Sequence, residues 1–146
     1  MSRQFHRAIR RNLIRDPWTG RRKPVLINHW EATEMYFTAD RLVEIAQDAP
    51  DLGLELFVMD DGWFGQRTDD TRSLGDWEPN PKKLPHGLKG LCDGVRALGL
   101  DFGIWVEPEM VNVKSSLYQA HPDWTMEIPG HAHSEGRHQR LLDLGK

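Results

Sequence analysis

The sequence predicts an α/β fold built on parallel strands, and three observations carry that expectation. Three apolar runs end alike, each in an aromatic residue beside a carboxylate. Val25-Leu26-Ile27 leads into Asn28-His29-Trp30-Glu31, Leu56-Phe57-Val58-Met59 into Asp60-Asp61-Gly62-Trp63, and Phe102-Gly103-Ile104 into Trp105-Val106-Glu107-Pro108-Glu109. Apolar runs of this length, bounded by breakers, suit strands buried on both faces. Second, Leu52-Gly53-Leu54-Glu55 and Leu98-Gly99-Leu100-Asp101 precede two of the runs 46 residues apart, with each glycine where a helix C-cap precedes a strand. Third, segments of helical period lie between the runs. Helix, glycine, buried strand, acidic rim and loop is a βα unit repeated.

Each element has its own local signal. Phe5, Ile9 and Leu13 recur at helical spacing opposite His6, Arg7 and Arg10 and predict a short amphipathic helix. Asp16-Pro17-Trp18-Thr19-Gly20 reads as a turn. The first strand is expected over Val25–Asn28, just after Pro24. Thr38 is placed to cap a helix through Leu42, Ile45 and Ala46, which Pro50 should end or kink. The second strand is expected over Leu56–Met59. A polar loop rich in Asp, Gly and Pro then runs from Gly65 to His86, long for a βα connection and of the kind that carries function. Leu88, Leu91, Val95 and Leu98 predict the next helix, and Phe102–Trp105 the third strand. Ser115 is placed to cap a short helix through Leu117 and Tyr118. Leu141–Leu144 reads as a fourth parallel strand just begun.

Composition narrows the function classes. The chain has 146 residues, 38% hydrophobic and 28% charged, which is a globular composition with length for one core. No apolar stretch approaches the ~20 residues of a membrane helix. The N-terminus has no apolar h-region, so no secretory signal is expected. Cys92 is the single cysteine, which excludes an intrachain disulfide and favours a cytoplasmic address. A net charge of −3 argues against nucleic-acid binding, and the basic start from Arg3 to Lys23 reads as a solvated helix face and connector.

The pattern therefore gives four strands and about three crossover helices. That count fits either a small open α/β sheet or part of a closed barrel, which needs ~250 residues. In either case the acidic and aromatic residues gather at the downstream rim of the strands, where parallel sheets bind ligands. Carboxylates accept hydroxyl hydrogen bonds, and flat rings pack on the C–H face of a pyranose. That combination suits a sugar. Read on residue type alone, Asp60, Asp61, Glu107 and Glu109 are the candidates for the carboxylate pair of a glycosidase. His131, His133 and His138 have no recognised zinc spacing, so no metal is expected.

The ordered motifs resemble glycoside hydrolase family 36 α-galactosidases. They run from Pro24-Val25-Leu26-Ile27-Asn28-His29-Trp30-Glu31 through Asp60-Asp61-Gly62-Trp63-Phe64-Gly65 and Ser73-Leu74-Gly75-Asp76-Trp77. Leu84-Pro85-His86-Gly87-Leu88, Trp105-Val106-Glu107-Pro108-Glu109-Met110, His121-Pro122-Asp123-Trp124 and Ser134-Glu135-Gly136-Arg137-His138-Gln139 follow in the family's order. His29, Pro50 and His138 depart from the family's pattern. The resemblance implies a partial (β/α)₈ TIM barrel, about the first four parallel strands with crossover helices. Residues 1–23 would form a pre-barrel helix and connector, and residues 24–146 the N-terminal part of the catalytic domain.

It implies Asp60, Asp61, Trp105 and Arg137 as galactose-binding residues, with Trp30 and Glu31 shaping the pocket floor. Glu107 and Glu109 would order rim loops. The family's nucleophile and acid/base are two Asp residues on later segments, so no catalytic residue is expected here, and no cofactor. The implied activity is retaining hydrolysis of melibiose- or raffinose-type α-galactosides by a homo-oligomeric parent, with transfer as a variant of the same chemistry. The alternative expectation is a non-catalytic truncated carbohydrate-binding or half-barrel interaction fragment.

Overall fold

The computed structural model describes residues 1–15, 18–133 and 136–146. A first helix, α1 (Ser2–Asn12), follows the predicted period and ends with Arg10 and Arg11 in its last turn, where the helix dipole favours cations. None of its residues is buried, and Phe5, Ile9 and Leu13 are exposed. The predicted turn after it falls partly on Asp16 and Pro17, outside the described residues; Gly20 closes it with positive φ.

Three strands, β1 (Leu26–Asn28), β2 (Leu56–Met59) and β3 (Asp101–Ile104), form one parallel sheet in that order. The register sets Ile27 beside Phe57 and Phe57 beside Phe102. Between the strands run α3 (Ala39–Ala46) and α4 (Gly87–Ala97), as the βα reading requires. Thr38 caps α3, its Oγ1 accepting the Arg41 N–H. That helix stops at Ala46, four residues short of Pro50, and Pro50 sits in the turn before β2. Leu42 and Ala46 of α3 and Leu91 and Val95 of α4 pack with Phe57 and Met59 as the core. Burial of each such side chain is worth about 1.5–3 kcal/mol. Leu26 and Ile104, on the outer strands, are exposed.

A short helix not foreseen, α2 (Trp30–Thr33), follows β1 directly. The long loop from Gly65 to His86 is not a solvated tether: Arg67, Ser73, Leu74, Asn80 and Leu84 within it are buried.

The fourth parallel strand does not form. Instead β4 (Met110–Asn112) and β5 (Gln139–Leu141) make a separate antiparallel pair beyond β3, with α5 (Ser116–Ala120) between them. Met110-Val111-Asn112 was not read as a strand, yet it pairs with Gln139–Leu141, Val111 opposite Arg140, while the Met110 and Asn112 N–H groups donate to the Glu107 and Leu74 carbonyls. The next residues are held away from β3 as well: the Leu142 N–H donates to the Glu109 carbonyl at 2.8 Å and the Asp143 N–H to that of Trp124 at 2.8 Å. Leu141 and Leu144, the ends of the expected strand, are exposed. The described residues thus contain three parallel strands of a βα sheet and a separate antiparallel pair. Ser115 caps α5 as expected, its Oγ accepting the Tyr118 N–H at 3.0 Å. No helix among the described residues is long and apolar enough to cross a membrane.

Candidate carbohydrate site

The downstream ends of β1, β2 and β3 converge on an open concavity of about 480 Å³. Asn28, Trp30, Glu31, Asp60, Asp61, Trp105 and Arg137 line it. The four residues singled out in the sequence thus come together, joined by Trp30 and Glu31 from the same reading. Glu107 and Glu109 do not line it. Glu107 accepts a hydrogen bond from Gln139 Nε2 at 3.3 Å, and the Glu109 carbonyl holds Leu142.

Two adjacent carboxylates converge because the chain leaves extended geometry just past Met59. Gly62 has φ 98°, and a Cβ there would lie 3.0 Å from the Met35 Cα. Only glycine meets both conditions without strain. The side chains of Asp60 and Asp61 are then held by different means. Asp60 Oδ1 accepts the Asp61 N–H at 2.7 Å, and Oδ2 accepts Asn28 Nδ2. Asn28 in turn accepts the Trp30 N–H at 2.8 Å, so one amide ties the ends of β1 and β2 and starts α2.

Asp61 is 4% exposed and is gripped by Arg67, which is fully buried. Arg67 Nε donates to Oδ1 at 2.9 Å and Nη2 to Oδ2 at 2.7 Å, a fork that suits a carboxylate. The Gly62 N–H adds a further bond to Oδ1 at 2.6 Å.

The indole wall is built from the core outward. Trp63 is buried, and its Nε1 donates to the Trp105 carbonyl at 3.0 Å. The Trp105 N–H donates to the Met59 carbonyl at 2.8 Å, extending the β2–β3 pairing past the strands. Trp77 packs between them, its ring centroid 6.0 Å from that of Trp63 and 6.3 Å from that of Trp105. Trp63 is therefore a core residue and Trp105 the one that reaches the concavity.

Arg137 comes from the far end of the chain. It and His138 both have left-handed φ, 55° and 60°, which non-glycine residues rarely adopt. Among the described residues its guanidinium has no hydrogen-bond or ion-pair partner, and it lies exposed at the concavity. The preceding Ser134 and Glu135 of its motif lie outside the described residues.

Beneath the floor, Lys83 Nζ donates to the carbonyls of Met35, Gly62 and Arg67 at 2.7, 2.6 and 3.0 Å. Burial lowers its pKa, opposed by the charge of Asp61. His29 is fully buried, edge-on to Phe37 at 4.7 Å, with Nδ1 paired to Thr33 Oγ1 at 2.9 Å. Its Nε2 has no partner among the described residues, and burial lowers its pKa below the usual histidine value. Arg67, Asn28 and Lys83 were missed in the sequence. A loop arginine or lysine reads as solvated, and the one available hint was an Arg six residues after a strand-end Asp, between glycine turns.

The arrangement offers charged acceptors, a cation and indole faces at one mouth. The melibiase family model matches residues 1–146. The chain belongs to the melibiase family. It is 52% identical over 146 residues to α-galactosidase AgaA of Geobacillus stearothermophilus, covering 100% of this chain and 20% of that one. It is 44% identical over 144 residues to the Escherichia coli α-galactosidase, covering 99% of this chain and 20% of that enzyme. The crystal structure of the glycoside hydrolase family 36 enzyme AgaA superposes with a TM-score of 0.90 at 52% identity, over 100% of this chain and 20% of that one. The Thermus thermophilus α-galactosidase bound to p-nitrophenyl α-D-galactopyranoside superposes with a TM-score of 0.71 at 30% identity, over 87% of this chain and 26% of that one. This melibiase chain spans about one fifth of the length of the curated relatives it matches. Variants of AgaA have been solved in complex with stachyose and with raffinose.

Proposed function

We propose that these residues form the N-terminal part of the (β/α)₈ catalytic barrel of a retaining α-galactosidase. In that barrel the segment binds the terminal galactose of raffinose- or melibiose-type sugars. The observation that carries the reading is the single concavity shared by Asp60, Asp61, Trp105 and Arg137. Asp60 keeps lone pairs for sugar hydroxyls beyond the two bonds that orient it. Trp105 offers a flat face to the pyranose, and Arg137 an exposed guanidinium to an oxygen of the substrate or of a reacting carboxylate.

The segment binds but does not perform the chemistry. A retaining mechanism needs two carboxyl groups about 5–5.5 Å apart, one to attack and one to donate a proton. Asp61 is committed to Arg67, and Asp60 is oriented by Asn28 and a backbone amide. Both leave the same strand end, so they cannot flank an anomeric carbon from opposite sides. The nucleophile and the acid/base therefore come from elsewhere in the enzyme.

The test is a graft in which these 146 residues replace their counterpart in AgaA. The graft should hydrolyse p-nitrophenyl α-galactoside. Asp60→Asn in that graft removes a charge-assisted hydrogen bond worth about 1.5–3 kcal/mol, lowering kcat/KM by about 10- to 150-fold. A graft that folds and binds no galactose would overturn the reading.

A further inference from the structure

We propose that Asn112 is a positioning residue of this sugar site, setting the Asp61 carboxylate and the Arg137 guanidinium at once. The assignment rests on the galactose-binding reading of the concavity and adds to it a residue that does not line it.

Asn112 ends β4 and is fully buried. Its amide uses every bond it can make. Oδ1 accepts Arg67 Nη1 at 2.9 Å and the Leu74 N–H at 2.8 Å. Nδ2 donates to the Asp70 carbonyl at 3.0 Å and to the His138 carbonyl at 2.8 Å. A primary amide has two lone pairs on oxygen and two N–H donors, so none is left over.

The four partners belong to the two pieces of chain that carry the site's charges. Arg67 is the buried cation that forks onto Asp61. With Asn112 and the Arg72 carbonyl occupying Nη1, Nε and Nη2 are turned towards Asp61. Leu74 and Asp70 fix the loop from which Arg67 projects. His138 directly follows Arg137, and both hold left-handed backbone. Such a pair persists only where its surroundings over-determine it. Here the constraints are the Asn112 amide on the His138 carbonyl and the pairing of Asn112 with Gln139 in the β4–β5 ladder.

No other side chain of this size does the same work. Aspartate has the shape but no donors: the His138 and Asp70 carbonyls would face a carboxylate, and the new anion would compete with Asp61 for Arg67. Glutamine adds a methylene where no space is open. Asn112 thus couples an acid and a base that are 76 positions apart in the chain, Asp61 and Arg137, without touching the ligand.

The experiment uses the AgaA graft and its Asn112→Asp and Asn112→Ser variants, with and without Arg137→Met. The unsubstituted graft must bind galactose and turn over p-nitrophenyl α-galactoside; if it does neither, the galactose reading falls and takes this assignment with it. Given an active graft, each Asn112 variant should raise KM at least tenfold while kcat changes less than threefold, as loss of uniform binding requires. In the Arg137→Met background the same substitutions should raise KM clearly less, because one of the two charges they misplace is already gone. A merely structural role would lower the thermal midpoint, leave KM within twofold and add to Arg137→Met in full, and that result overturns the proposal. If neither variant accumulates as folded protein, Asn112 is structural and the proposal is likewise overturned.

Discussion

Replacing Arg67 by methionine should be among the most damaging single changes in the chain, although Arg67 lies in a loop. Its side chain is 0% exposed and that of Asp61 6%, so solvent cannot take over when the guanidinium is removed. The variant loses the fork onto Asp61 and the bonds to the Arg72 carbonyl and Asn112 Oδ1. Breaking a buried ion pair by deleting one partner costs about 3–5 kcal/mol, since a charge is left buried alone. A cooperative barrel of ~250 residues, with an unfolding entropy of ~2.1 cal/mol/K per residue, loses about 8 °C of midpoint for about 4 kcal/mol. The assay is thermal unfolding of the AgaA graft followed by tryptophan fluorescence, Trp63 being a buried reporter close to Asp61. The double variant Arg67→Met/Asp61→Leu should recover more than half of the loss, because replacing both partners with apolar groups is often neutral. A single variant within 2 °C of the parent, or a double variant no better than the single, would show that the pair is not the buried clamp described here.

Three further outcomes follow from the same geometry. Gly62→Ala should cost at least about 1–3 kcal/mol, through positive φ and contact with Met35, seen as a lower midpoint and weaker galactose binding; a neutral variant contradicts the geometry of the turn. His29 supplies a pH dependence: its folded pKa is lowered by burial while the unfolded value stays ~6.5, so between the two the unfolded chain holds the extra proton and stability rises with pH. Acidification from pH 7 towards 5 should therefore destabilise the protein by up to ~1.4 kcal/mol per unit below 6.5, and a His29→Asn variant should show a flatter midpoint-against-pH curve. The 146-residue chain by itself should not hydrolyse p-nitrophenyl α-galactoside above background, since groups that bind ground and transition states equally do not raise kcat; turnover lost in Glu107→Gln would move the chemistry to β3.

Local signals in the sequence were dependable where one short segment decides the outcome. Thr38 and Ser115 cap their helices because a hydroxyl two or three residues from an orphan amide needs no help from the rest of the fold. The apolar runs became parallel strands because short apolar runs bounded by breakers have few other options, but burial on both faces did not follow: Leu26 and Ile104 on the outer strands are exposed. The same logic failed at Leu141–Leu144. There, hydrophobicity suggested a fourth parallel strand, but Gln139–Leu141 pairs antiparallel with Met110–Asn112, a pairing between distant segments that periodicity does not encode. The site divides in the same way. Asp60, Asp61 and Trp105 were legible as strand-end residues. Arg67, Lys83 and Asn112 were not, because each is recognisable only once the backbone groups it satisfies have been brought around it.

The short bonds that hold the concavity all run between residues 28 and 138. In the enzyme proposed here, sugar recognition and bond cleavage would then be written in separate stretches of one chain. Sequence drift in this stretch would then retune which sugar is admitted while leaving the cleaving carboxylates as they were.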